Sequence, residues 1–348
     1  MRGISLAVFT AVLLAVLPGS AAAEETGPRS DAGKAAAVVA RVGEQPIYRA
    51  ELEAALRRGG HDRIRSPEQR LRLEAETIEQ LVDERLLRQR IAHEKIDVDK
   101  GQVTTLLEQM RSQFADRNIV FETFLAQSGR DEASLRSQIE LDLALNKLIA
   151  PRLTTAAIAS IFAESPREFD GTRLRVSHIV LRPDLAHGTD ALPEMMRKAD
   201  AIRREILTGT ITFAEAAKKY SAGPSRRRGG DLGYVPRHGA IEEKFSQVAF
   251  KLAKGEISKP FVTPFGVHLV TVTDVEPGTV TVEAVRPQLE KLVAQQAIRE
   301  IVASGREDTR VTFAAGVPRF DPATPVGEDG PRRIVLSDTK PAEPAAEE

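Results

Sequence analysis

Two histidines stand where strand alternation could bring them to one site. Arg173-Leu174-Arg175-Val176-Ser177-His178-Ile179-Val180-Leu181 and Phe265-Gly266-Val267-His268-Leu269-Val270-Thr271-Val272 each carry one His among β-branched and aliphatic residues, the composition of a buried strand. A period of 2 puts His178 on the face of Val176 and Val180, and His268 on that of Val270 and Val272. An isolated His on such a face is ordinarily a satisfied core residue, so neither alone points to chemistry. Between them lies Gly229-Gly230-Asp231-Leu232-Gly233-Tyr234, three glycines in five positions, followed by Pro236 and an apolar segment from Phe245 to Leu252. This describes a backbone that folds back tightly to form one wall of a site. His61, His93, His187 and His238 have no metal-ligand spacing, and the glycine turn is neither a phosphate loop nor a dinucleotide fingerprint. No metal or cofactor is expected.

Taken in order, Ser177-His178-Ile179-Val180-Leu181, Phe213-Ala214-Glu215-Ala216-Ala217, Tyr220-Ser221, the glycine turn, Gly255-Glu256-Ile257-Ser258 and Gly266-Val267-His268 resemble the parvulin family of peptidyl-prolyl isomerases, over about residues 172–275. The resemblance implies that His178 and His268 form the family's dual-histidine motif, two imidazoles on adjacent strands beneath a proline pocket, sharing a hydrogen-bond network. It implies catalytic positions at His178, His268, Gly223 and Thr263, and a substrate wall of Leu232, Ile241, Phe245 and Phe265. The sequence departs from the family where Cys or Asp usually follows the Tyr-Ser pair, since the aligned residue is Gly223. Phe265 stands where some members have Ser, and Ile241 stands near the usual Met in a loop one residue longer.

The implied reaction needs no acid, base or metal, because X-Pro isomerisation is rotation about an amide. A catalyst must favour the twisted amide over both planar forms, which an apolar pocket can do by gripping the pyrrolidine ring and desolvating the amide. Two readings remain open at this level. One is an isomerase that also assists folding; the other is a chaperone whose parvulin domain binds extended peptide without turning it over. The retained histidines favour the first and Gly223 the second. Arg226-Arg227-Arg228 is read as a solvated loop, and the stretch Pro183 to Pro193 lacks the basic pair of phosphate-specific parvulins, so no preference for phosphorylated Ser-Pro or Thr-Pro is expected.

The elements that must position these residues divide by pattern. Val38 to Val42 reads as a strand, and residues 49–165 are helical almost throughout, with Leu52 and Leu56, then Ile78, Leu81, Val82 and Leu86, then Leu135, Ile139 and Leu143 in helical register. Ser66, Pro67 and Gln69 form a helix start of the capping-box kind. At Phe169-Asp170-Gly171-Thr172 the period switches from about 3.6 to 2, a domain boundary. Thr212 with Glu215 caps a short helix. Beyond Glu276-Pro277-Gly278 a long amphipathic helix carries Val282, Val285, Leu289, Leu292 and Val293 and precedes the short strand Val311 to Phe313. That helix has an apolar face and no partner of its own, so it is expected to return to the first helices, with Val311 to Phe313 pairing Val38 to Val42.

This layout resembles the SurA-type periplasmic chaperones, loosely over residues 38–313. The expected fold is α+β: a helical chaperone domain made by N-terminal helices plus a returning C-terminal helix, with an inserted parvulin domain of a small antiparallel sheet surrounded by helices. The expected bounds are 38–168 for the helical domain, 169–277 for the parvulin domain and 278–315 for the returning helix and strand.

The 348 residues suffice for two cores. Forty-nine basic against 50 acidic residues give a net charge of -1, without the basic excess of a nucleic-acid binder. With no cysteine there are no disulfides and no thiolate chemistry. Arg2, the apolar run Ile4 to Leu17 and Ala21-Ala22-Ala23 read as a cleaved signal peptide over 1–23, too short to span a bilayer. Residues 24–37 read as a flexible leader and 316–348 as a disordered tail rich in Pro, Ala and Glu. These readings predict an exported protein of the periplasm or extracytoplasmic space, with no membrane span after cleavage. Its expected partners are unfolded or extended polypeptides containing X-Pro bonds.

Overall fold

The computed structural model describes residues 37–58, 64, 66–182, 191–322 and 332–338. The expected signal peptide, nearly all of the leader and much of the tail lie outside the described residues, as does the stretch 183–190. The fold is α+β. It divides into two compact units, one drawn from residues 1–154 and 291–348 and a second from 155–290.

In the first unit, β1 (Val38–Val42) turns into β2 (Gln45–Tyr48) and pairs on its other side with β7 (Val311–Phe313), all antiparallel. Ala40 stands opposite Phe313 and Val42 opposite Val311, so the C-terminal strand does return to the N-terminal one. The helices are α1 (Arg49–Arg58), α2 (Pro67–His93), α3 (Lys100–Ala115), α4 (Phe121–Gln127) and α5 (Glu132–Ile149). Ile78, Val82 and Leu86 of α2 recur every four residues and are buried with Val39, Val42, Ile47 and Leu52. Further along, Leu87, Leu141, Leu145 and Ile149 bury Ala294, Ala297 and Ile301 of α10 (Val282–Asp308), the partner that the apolar face of α10 required. A third cluster joins Val103 and Leu107 to Phe121, Leu125, Leu135 and Ile139. Among the described residues no helix is long and apolar enough to cross a membrane.

Two expectations are corrected. The capping box at Ser66 does not form; the Ser66 side chain makes no cap hydrogen bond, and the start of α2 rests on Pro67, whose ring presets a helical φ. A complete box appears instead at Asp131 with Ser134, where Ser takes the place of the usual Glu or Gln. The stretch 316–348 is not disordered throughout. β8 (Pro318–Phe320) pairs antiparallel with β9 (Ile334–Leu336), and Val317 and Phe320 are buried. Two short apolar segments there suffice to order the backbone against α2, although proline and acidic residues dominate the surrounding composition.

The second unit begins with α6 (Thr155–Glu164) and centres on a four-stranded antiparallel sheet of order β4-β3-β6-β5. The strands are β3 (Arg173–Leu181), β4 (Asp231–Pro236), β5 (Phe261–Thr263) and β6 (Gly266–Glu276). Alternation divides the side chains of the two central strands. Ile179 and Leu181 of β3, with Val267 and Leu269 of β6, bury against α7 (Ala191–Leu207) and α8 (Phe213–Tyr220). Leu174 and Val176, with Val270 and Val272, bury against α9 (Glu243–Phe250). His178 and His268 continue this second face toward the end of the sheet. α8 opens on the expected capping box of Thr212 and Glu215.

Candidate functional site

The register of β3 against β6 sets His178 opposite Val270 and Val180 opposite His268, so the imidazoles sit diagonally on neighbouring strands. Their ring centroids are 5.7 Å apart and their planes 30° from parallel. The glycine turn fixes the first histidine from behind: the His178 amide donates to Gly230 O at 3.0 Å. A Cβ at Gly230 would lie 2.4 Å from His178 O, and its φ of +87° also suits glycine. Ser221 anchors the next residue pair, its hydroxyl accepting from the amides of Val180 and Gly223 at 3.1 and 3.2 Å.

Aromatic rings pack round the pair. Phe245 meets His178 and His268 edge-on, at 5.7 Å from each, and Phe261 stacks on His268 at 5.5 Å. His268 Nε2 lies 2.8 Å from Thr263 Oγ1, which also accepts from the Phe265 amide at 3.1 Å. His178 differs: neither of its ring nitrogens has a hydrogen-bond partner among the described residues. Position 223 explains this. A Cβ there would stand 3.1 Å from His178 Nε2, so any longer polar side chain would be placed to reach the imidazole, and glycine offers none.

A cavity of about 580 Å³ opens above the histidines, within the usual range for a small-ligand site. All eight residues expected at the site line it: His178, Gly223, Leu232, Ile241, Phe245, Thr263, Phe265 and His268. Phe245 and Thr263 are buried, whereas Phe265 is 58% exposed and stands at the mouth. The lining also includes Val180, Arg182, Pro224, Gly239, Ala240 and Glu242, which are not among the residues expected from sequence. Val180 and Arg182 are accessible to alternation, being two and four residues beyond His178. Residues 239–242 belong to the connection from β4 to α9 and carry no periodic signal.

Burial pushes the His178 imidazole below its ordinary value. Burial, then the neighbouring His178 and the Arg182 cation, push His268 down to about 4. Both rings are therefore neutral at neutral pH. The cavity has an apolar wall and a floor of two uncharged imidazoles, and among the described residues that line it the one carboxylate, Glu242, accepts from the Phe245 amide at 2.9 Å. This is an environment for gripping and desolvating an uncharged group.

Comparison with known proteins matches both parts of the chain. Residues 178–274 match the family model of the PPIC-type PPIase domain, and residues 1–149 that of the SurA-like N-terminal domain. The chain is 27% identical over 209 residues to foldase protein PrsA 4 of Bacillus cereus, an alignment covering 58% of this chain and 65% of that protein. It is 26% identical over 231 residues to a probable parvulin-type peptidyl-prolyl cis-trans isomerase of Bordetella bronchiseptica, covering 62% and 84%. It is 36% identical over 130 residues to chaperone SurA of Alkalilimnicola ehrlichii, covering 37% and 29%. The alignments thus span just under two thirds of the PrsA relative and under a third of the SurA relative.

Proposed function

For a chain that carries a SurA-like N-terminal domain and a PPIC-type PPIase domain, we propose that it is a peptidyl-prolyl cis-trans isomerase and folding chaperone for exported proteins. The observation that carries this reading is the pair of neutral imidazoles 5.7 Å apart, with Phe245 edge-on to both, forming the base of an apolar cavity. The pyrrolidine ring of a client enters against Phe245, Leu232 and Ile241, and the X-Pro amide loses water over His178 and His268. Desolvation weakens the resonance that keeps the amide planar, and the fixed rings accept the twisted form without reorganising. Thr263 holds the His268 ring in place. Phe265 extends the apolar surface to the mouth.

The helical unit, built from chain on both sides of the PPIase domain, holds unfolded client while X-Pro bonds are turned over. Its relatives bear the names foldase and chaperone, which agrees with unfolded polypeptides as partners. The signal-like residues 1–23 support export, with the periplasm or another extracytoplasmic space as the site of action. A second reading, a peptide clamp without turnover, is favoured by the unpartnered His178 and by Gly223.

Refolding of a client protein limited by X-Pro isomerisation separates the two. That phase lasts about 10–100 s uncatalysed. An isomerase shortens it when present at far less than one equivalent; a clamp leaves its rate unchanged or slows it in proportion to the amount added.

A further inference from the structure

One arginine of the second unit is buried outside the cavity, where the proposed reaction has no direct use for a charge. Arg237 follows β4 directly, and its side chain is 8% exposed. Its Nη2 lies 2.9 Å from Glu243 Oε1 and 3.7 Å from Glu168 Oε2, and the cation stands over the Phe250 ring at 6.0 Å. Its carbonyl accepts from the hydroxyl of buried Ser246. Glu243, Ser246 and Phe250 are three and four residues apart, so Arg237 grips one face of α9 along its length. Glu168 ends the turn Pro166–Glu168 before β3, and the same side chain thereby ties α9 to the chain entering the sheet. Phe245 projects from the other side, about 200° round the helix from Glu243, and meets both histidines edge-on at 5.7 Å. For stability alone this grip is a poor device. Arg237 Nε is buried without a hydrogen-bond partner among the described residues, and a buried cation gives up hydration that an apolar side chain never had. What the planar fork supplies is geometry. Its bond holds the Glu243 carboxyl below the ordinary range, so the pair stays charged at neutral pH.

We propose that Arg237 is a positioning residue of the site: it fixes the rotation and depth of α9, and through α9 the place of Phe245 over the two imidazoles. The inference rests on reading the cavity as an X-Pro site and adds the group that sets its proline-gripping wall. Packing of Phe245, Ala249 and Phe250 keeps α9 on the sheet, but apolar burial is non-directional and leaves rotation and sliding free. The Glu242 bond to the Phe245 amide lies within the helix terminus and moves with it. Directional anchoring from outside α9 comes from Arg237, through its fork and its carbonyl. Misplacement by about 1 Å can lower a rate by about a hundredfold, so partial loosening of α9 should lower it about three- to tenfold.

The test uses the whole protein with Arg237→Gln, Arg237→Lys and Glu243→Gln, beside Arg173→Gln, which breaks the half-exposed pair with Glu276 as a remote control. Each is studied where denaturant unfolding shows it folded. NMR reads the imidazole signals of His178 and His268, which feel the ring current of Phe245, together with the affinity for an Ala-Pro peptide and its cis/trans exchange. Arg237→Gln should move both histidine signals and slow catalysed exchange about three- to tenfold. Arg237→Lys keeps the charge without the planar fork and should recover part of the loss. Glu243→Gln, at an exposed position that folding does not depend on, should change the same readouts less, and the two losses combined should fall short of their sum. Arg173→Gln should leave every readout at the parent value. Histidine signals and exchange unmoved in folded Arg237→Gln and Glu243→Gln overturn the proposal, as do losses that add in full. Should Arg237→Gln fail to fold, unmoved signals in Glu243→Gln overturn it by themselves. If the parent protein binds the peptide yet never exchanges it, the isomerase reading fails, and the histidine signals and peptide affinity still decide whether Arg237 places Phe245.

Discussion

At position 223 a Cβ would stand 3.0 Å from Val180 Cγ1 and 3.1 Å from His178 Nε2, in a backbone with φ of -79° that any residue can adopt. Gly223→Asp should therefore supply the partner that His178 lacks. The carboxylate favours the imidazolium, so the His178 pKa should rise above its burial-lowered value. Crowding of Val180 should cost about 1–3 kcal/mol. An NMR titration of the His178 ring checks the first point and denaturant unfolding the second; an unmoved titration would mean the new side chain points away from the ring. Thr263→Val removes the partner of buried His268 Nε2 and should destabilise by about 1–3 kcal/mol, whereas Thr263→Ser should cost much less.

Both histidines have folded-state pKa values below those of the unfolded chain, so the unfolded chain binds protons first as pH falls. The stability that their neutral burial permits is whole above about pH 6.5 and is lost as pH falls toward about 4, the value of His268. Thermal melts should show Tm declining across that window, and less steeply in a folded His268→Gln variant. Equal slopes in the two proteins would contradict the assignment.

Among the elements, the glycine turn sets the geometry, and its glycines are not equivalent. Gly230 (φ +87°) has His178 O where a Cβ would go, while Gly233 (φ +76°) has nothing within 4 Å. Gly233→Ala should cost about 1–2 kcal/mol, the penalty for a left-handed alanine. Gly230→Ala carries that penalty plus a backbone clash behind His178, and should either prevent the second unit from folding or cost clearly more than its neighbour in denaturant unfolding. Similar losses would mean that the turn yields.

Much of this is legible in the sequence because strand alternation is a strong local signal. It assigns each histidine to a face of its own strand, the parvulin resemblance brings the two together, and the apolar Phe245 to Leu252 segment marks α9 as their cover. The glycine spacing announces a turn without saying which glycine has backbone behind it, since that depends on β3, far earlier in the chain. Arg182 lies within reach of the same alternation, but in sequence an exposed cation at a strand end reads as an ordinary solvated charge. Ser66 misleads because a capping residue in sequence specifies an available bond, and the local backbone decides whether it forms.

On the scale of the whole chain, the first unit is assembled from segments far apart in sequence, with β7 on β1 and Ala294, Ala297 and Ile301 in a cluster with Leu141 and Leu145. This return is readable from the unpaired apolar face of α10. The β8–β9 pair is not, because composition averages over a window in which only Val317, Phe320 and Ile334 to Leu336 matter. Ending the chain at residue 315 should expose apolar surface of the first core and lower the Tm of that unit by several degrees. A calorimetric scan unchanged by the truncation would contradict the role given to these strands.

The central claim is that the cavity over His178 and His268 turns over X-Pro bonds, and NMR exchange spectroscopy on an Ala-Pro peptide tests it most directly. Uncatalysed interconversion takes tens to hundreds of seconds. A small fraction of one equivalent of the protein should bring cis/trans exchange into the sub-second range, and a folded His178→Ala, His268→Ala protein should lose most of that acceleration. No acceleration by the parent protein, with peptide shifts still reporting binding, would contradict the claim and leave a peptide clamp on a PPIase fold.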